Sequence, residues 1–215
     1  YGFAKNSKFE IVAANEILAP MAAAYRLNHP NVRMYEGDIK DFGRSSIRRD
    51  LGILVGEVDL VVGGPPCQAY STVGKRLLDD PRGQLFQEYF RVLGELKPKA
   101  FIFENVKGLI SMSGGDLLPT IIEKFESLGY TVEWKLLNAA DYGVPQTRER
   151  VIIVGSRGGV FSFPKQTHGD PEDPSFRKTN LSPCIFLWIP PRLRCLSTMG
   201  NRSSLRWYCQ PKIAR

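Results

Sequence analysis

Several features that would place a chain in one of the large protein classes are scarce or absent in these 215 residues. The four cysteines, Cys67, Cys184, Cys195 and Cys209, lie far apart with no C-x-x-C pair, which argues against a zinc site and against a disulfide framework. No stretch approaches the roughly 18 apolar residues of a membrane span, and the start lacks a basic-then-apolar leader pattern. Neither membrane insertion nor secretion is therefore expected, and no metal is. The expected setting is an intracellular, reducing compartment, the cytoplasm in a prokaryote or the nucleus in a eukaryote. Acidic residues are missing from 176–215, which hold eight Lys and Arg, whereas 1–175 hold 21 basic and 22 acidic residues. The formal charge of +7 is thus a property of the tail, and the body must be judged on its motifs.

What remains has the balance of a folded domain, with 43% apolar and 24% charged residues. Phe9 to Ala14 is a short apolar run that predicts a buried strand, followed by a helix over 18–28. Residues 1–3 read as the end of a helix leading into that strand. A second strand is expected at Val58–Val62, stopped by Gly63-Gly64-Pro65-Pro66. Leu85 to Leu96 repeats apolar residues at helical spacing and ends before Pro98. Ala100–Phe103 is a third strand, and Leu117–Leu128 a helix closed by Gly129. Tyr130–Leu137 and Val151–Val154 have no helix between them, so an antiparallel hairpin at the sheet edge is expected. The alternation predicts an α/β, doubly wound, mostly parallel sheet. Beyond about residue 165 the periodicity stops, and Cys195 to Arg206 match neither the helix nor the strand template.

Cys67 follows a buried strand directly, where ligands bind in parallel sheets. Gly63 and Gly64 let a flat substrate approach the main chain, and Pro65 and Pro66 restrict where the sulfur points. Alone, such a thiol reads as a buried structural cysteine beside a proline turn, and the neighbouring motifs reverse that reading. Glu104 lies 37 residues further on, one strand-helix-strand unit, so the two strands can be neighbours. Behind three apolar residues its carboxyl is partly desolvated, which favours a proton donor. In Gln146-Thr147-Arg148-Glu149-Arg150, an extended chain places both guanidinium groups on one face and Glu149 on the other. Glu16, ending the first strand, suits a ribose diol, and Asp38 with Ile39 suits an adenine amino group and ring.

In this order, Gly63-Gly64-Pro65-Pro66-Cys67-Gln68, Phe103-Glu104-Asn105-Val106 and Gln146-Thr147-Arg148-Glu149-Arg150 resemble the cytosine-C5 DNA methyltransferase family over residues 1–165. The resemblance implies a Rossmann-like catalytic core, S-adenosylmethionine as methyl donor and a cytosine flipped from double-stranded DNA as acceptor. It implies catalytic roles for Cys67, Glu104, Arg148 and Arg150, and cofactor contacts from Glu16, Ile17, Asp38, Ile39, Pro66 and Leu85. Substrate contacts are implied for Pro65, Gln68, Ser71, Asn105, Val106 and Gln146. The segment after the nucleophile is a mobile lid in this family, and Lys75, Arg76 and Arg82 would meet phosphates there.

By the resemblance, these residues are expected to lack the family's first strand with its glycine-rich turn and, after Pro164–Gly169, a complete target-recognition region. Residues 166–215 are accordingly expected to form a poorly ordered basic tail. The chain alone is expected to bind DNA weakly and to transfer no methyl group. Two related readings are a tRNA cytosine-C5 methyltransferase and an inactive fragment or one subunit of a two-chain methyltransferase with a complementing partner. A nicotinamide dehydrogenase would fit Glu16 and the sheet, but leaves the Pro-Pro-Cys turn unexplained.

Overall fold

A computed structural model describes residues 2–42, 47–66 and 84–169, together with the main chain of 193–199. The strands are β1 (Phe9–Glu16), β2 (Arg33–Glu36), β3 (Leu60–Gly64), β4 (Ala100–Val106), β5 (Thr131–Asn138), β6 (Glu149–Ser156) and β7 (Leu193–Met199). The helices are α1 (Ala19–Asn28), α2 (Ile47–Leu51), α3 (Gln84–Leu96) and α4 (Leu117–Ser127). The described strands form one sheet in the order β2-β1-β7-β3-β4-β6-β5. β1, β2, β7, β3 and β4 run parallel, and β6 turns back against β4 and pairs with β5, the expected antiparallel hairpin.

Side chains alternate across β4 as the pleat requires. Phe101 and Phe103 enter a large core with Phe86, Tyr89, Leu93 and Leu96 of α3 and Leu117, Ile121 and Phe125 of α4. Buried residues at 86, 89, 90, 93 and 96 give α3 the stripe that its sequence predicts. Ala100 and Ile102 face the other way, with Leu60 and Val154, under a cover of Phe3, Phe9, Phe161 and Phe163. Polar tips inside the large core are satisfied: Tyr89 donates to the Ile102 carbonyl at 3.0 Å and Tyr130 to that of Pro98 at 3.0 Å.

Gly155 stands across from Phe101 in the β4–β6 ladder, and a Cβ there would lie 1.9 Å from the Phe101 ring. That ring is fully buried and cannot swing away. Gly155→Ala is therefore expected to cost about 3 kcal/mol by overpacking, read as a lowered urea midpoint. A midpoint unchanged from the parent would show that the ring has room.

Two sequence expectations are corrected, and one strand is added. Residues 2–8 are turns rather than the end of a helix. β2 was not predicted, because Arg33-Met34-Tyr35-Glu36 shows no apolar run; it forms by adding its main chain to the edge of β1. Leu193–Met199, in the segment without a periodic pattern, is a strand inside the sheet. A strand with a ladder on both sides is fixed by main-chain hydrogen bonds, which sequence periodicity does not report.

Candidate active site

Parallel strands deliver their carboxyl ends to one edge of the sheet, and β6, running the other way, delivers its amino end to the same edge. β3, β4 and β6 thereby bring Gly64, Glu104 and Arg150 together on one face, although they are far apart in sequence. The Arg150 Nε lies 2.8 Å from Glu104 Oε1, and an Arg148 terminal nitrogen lies 3.8 Å from the same oxygen. Glu149 points to the opposite face, where both its oxygens accept from Lys107 Nζ at 3.0 and 2.9 Å. The expected split of the Arg-Glu-Arg triplet is therefore what is found. Glu104 thus pairs with the Arg150 guanidinium, with that of Arg148 at the edge of reach.

Arg148 itself is held from behind. Its main-chain N–H donates to Asn138 Oδ1 at 3.0 Å, and its carbonyl accepts from Ala139 at 3.0 Å. Burial is the largest influence on the Arg148 guanidinium, followed by repulsion from Arg150; both push its pKa below the usual arginine value, against the pull of Glu104.

The absence of a side chain at Gly64 has a definite use. A Cβ there would lie 3.0 Å from Glu104 Oε2, so the glycine makes the seat for the carboxylate. The next residue of β4, Asn105, is 3% exposed and commits both ends of its amide. Its Nδ2 donates to the Pro65 carbonyl at 3.0 Å, and its Oδ1 accepts from the Val106 N–H at 2.9 Å. Asn105 therefore pins the turn leading towards Cys67, a role that sequence reasoning did not assign. Pro66 ends the described part of this turn, and Leu85 is half-buried at the start of α3. Cys67, Gln68, Ser71, Lys75, Arg76 and Arg82 lie outside the described residues. Gln146 lies in an exposed turn.

A second cluster forms at the ends of β1 and β2. Glu16 is 4% exposed and its Oε1 accepts from the Leu18 N–H at 2.9 Å. Burial pushes its carboxyl above the usual range, against hydrogen bonds from the Leu18 and Ile17 main chain. Asn15, also missed in the sequence, donates from Nδ2 to the carbonyls of Tyr35 and Gly37 at 3.1 Å each. It ties the turn carrying Asp38 to the end of β1. Gly37 sits at φ +140, a conformation that side chains disfavour, and its N–H donates to the Glu16 carbonyl at 3.0 Å. Asp38 caps its own turn by accepting from the Lys40 N–H at 2.9 Å. Ile39 packs on the large core, whereas Ile17 is 41% exposed beside Glu16. A buried carboxylate with an exposed apolar neighbour fits a ribose diol and the ring it carries. Among the described residues, no group of three His, Cys, Asp or Glu is arranged to hold a metal ion.

The raised pKa of Glu16 has a signed consequence. The folded state binds this proton more tightly than the unfolded state, so its stabilising contribution is full below the ordinary carboxylate pKa and is lost as pH rises through the raised value. Glu16→Gln keeps the acceptor for Leu18 and removes the buried charge. The variant is expected to melt above the parent at about pH 8, with the difference vanishing towards about pH 4. On the cofactor role that the family resemblance implies for Glu16, the variant is also expected to bind S-adenosylhomocysteine about tenfold more weakly. Calorimetry checks both; parental affinity would remove Glu16 from the cofactor site.

Comparison with known proteins agrees with this geometry. The family described as C-5 cytosine-specific DNA methylase matches residues 1–184, and the chain belongs to that family. It is 44% identical over 162 residues to the Type II methyltransferase M.AgeI of Thalassovita gelatinovora, covering 75% of this chain and 38% of that protein. It is 47% identical over 154 residues to the Type II methyltransferase M.AquIA of Picosynechococcus, covering 67% of this chain and 62% of the relative. The chain thus spans less than two thirds of these relatives. Among solved structures, a DNA modification methyltransferase encoded within an Escherichia coli prophage superimposes with a TM-score of 0.60 at 26% identity, covering 72% of this chain and 42% of the other. Spodoptera frugiperda DNMT2 gives 0.54 at 26% identity, covering 70% and 44%. The fold is the Rossmann-like α/β fold of S-adenosylmethionine-dependent methyltransferases.

Proposed function

We propose that this chain carries the catalytic core of a DNA (cytosine-5-)-methyltransferase of a Type II restriction-modification system, acting on a cytosine flipped out of double-stranded DNA. The observation that carries the reading is the joint placement of two elements. The Glu104–Arg150 pair lies at 2.8 Å, and beside it Asn105 fixes the Pro65 carbonyl of the turn leading to Cys67. Naming of the relatives as Type II methyltransferases supports DNA over tRNA as the substrate.

Cytosine C5 is too weak a nucleophile to take a methyl group unaided. The Cys67 thiolate adds to C6, which makes C5 enamine-like. Glu104, turned from its ion pair with Arg150 to the base and protonated from solvent there, donates to N3 and accepts from the amino group, so that its proton balances the charge of addition. Arg150, with Arg148 beside it, then holds the O2 carbonyl and favours the thiolate. S-adenosylmethionine, when bound, supplies an electrophilic methyl group. Glu16, Ile17, Asp38 and Ile39 hold its nucleoside, with Pro66 and Leu85 on the acceptor side. Pro65, Gln68, Ser71, Val106 and Gln146 line the path of the base, and Asn105 positions the turn. Once C5 carries the methyl group, loss of its proton to solvent and expulsion of the Cys67 sulfur as thiolate restore the ring.

The test is the product. A chimaera in which the 162 aligned residues replace their counterparts in M.AgeI is given labelled S-adenosylmethionine and duplex DNA. Label in 5-methylcytosine is expected. Label on an exocyclic amine, or in tRNA and not in DNA, would contradict the proposal.

A further inference from the structure

The order β2-β1-β7-β3-β4 places β7 where the winding of the sheet reverses. From β1 the chain moves outward through α1 to β2, and from β3 it moves the opposite way through α3 to β4. β1 and β3 are not bonded to each other: β7 lies between them, parallel to both. On one side Ala13, Ala14 and Asn15 pair with Leu196, Ser197 and Thr198. On the other side Leu60 to Gly64 pair with Cys195 to Met199 in continuous register. Thr198 therefore stands level with both Asn15 and Gly63, and Met199 with Gly64. Ala13 to Glu16 and Leu60 to Val61 are buried, so main-chain groups there have no water to turn to and need a strand beside them.

Ligands of open α/β sheets bind outside the carboxyl ends of the strands at such a reversal. Glu16 and Asp38 lie on one side of β7, and Gly64, Glu104 and Arg150 on the other. A cofactor whose ribose is held at Glu16 and whose methyl is delivered beside Glu104 must cross the end of β7. We propose that residues 193–199 are the central strand of the cofactor site, joining its nucleoside half to its acceptor half, and that the main chain at Thr198 and Met199 is the floor under the crossing part of an S-adenosyl ligand. The floor role rests on the function proposed above; the joining role does not.

Hydrogen exchange on the full chain tests both parts. Amides of Leu196 to Thr198 are expected to exchange at least about a hundredfold more slowly than in an unstructured peptide. Leu196→Pro removes a ladder hydrogen bond and should speed exchange at Ala13–Asn15 and Val61–Gly63, while the β5–β6 hairpin stays protected. Loss of protection everywhere supports the joint equally, provided that Leu196→Val, which keeps the ladder, folds as the parent does. Peptide-like exchange at 196–198, or unchanged β1 and β3 in Leu196→Pro, overturns the joint. S-adenosylhomocysteine should slow Thr198 and Met199 further. Binding that protects Glu16 and leaves these two unchanged overturns the floor alone, and no binding at all overturns the floor together with the function it rests on.

Discussion

Cys67→Ser is expected to abolish covalent capture of DNA completely. A duplex with 5-fluorocytosine at the target cannot lose its C5 substituent, so after methyl transfer the base stays bonded to the attacking sulfur. In the M.AgeI chimaera, the parent sequence should give a denaturation-resistant protein–DNA band that grows with time. The serine hydroxyl is far less nucleophilic at neutral pH, so no band should form. DNA binding without covalent capture should persist, because the substitution changes one atom. A band of parental intensity in Cys67→Ser would remove this residue as the nucleophile.

The second large effect is at Glu104. Glu104→Gln keeps the length of the side chain and a hydrogen-bond donor for the base, and removes both the transferable proton and the partner of Arg150. Methyl transfer by the chimaera is expected to fall by about 10²–10⁴-fold, with DNA affinity nearly unchanged. The geometry refines the reason. The carboxylate rests 2.8 Å from the Arg150 Nε, in a seat that only a glycine at 64 leaves open. Its ion pair must be exchanged for hydrogen bonds to the base, so the loss should fall on kcat more than on KM. A near-parental kcat would make Glu104 a structural partner of Arg150 and no more.

The sequence and the structure agree most closely where local pattern decides. The helical stripe of Leu85–Leu96, the apolar run Ala100–Phe103 and the turn-linked pair β5 and β6 were legible because each buries one face that its own spacing defines. The facing arrangement of Arg148, Glu149 and Arg150 was legible for the same reason, since extended chain alternates. What could not be read was set by contacts between distant segments. Asn105 looked like a substrate-facing residue, yet its amide is spent on Pro65 and Val106. Asn15 gave no signal beyond being polar at the end of a buried strand, and it organises the turn of Asp38 through two main-chain carbonyls. Gly64 was read as open space for a substrate, whereas the Glu104 carboxylate occupies it. β7 was the largest omission: its alternation is weak, and only open ladders on β1 and β3 make a strand of it.

The most direct test of the account is to find which atom bonds to DNA. The complex trapped with 5-fluorocytosine is digested with nuclease and trypsin, and the peptide that carries the added nucleotide is sequenced by mass spectrometry. The account predicts a methylated fluorocytosine nucleotide on the sulfur of Cys67, in the peptide that also carries Gly63-Gly64-Pro65-Pro66. The same nucleotide on any other residue of this chain, or trapping with no modified Cys67 peptide, would contradict it.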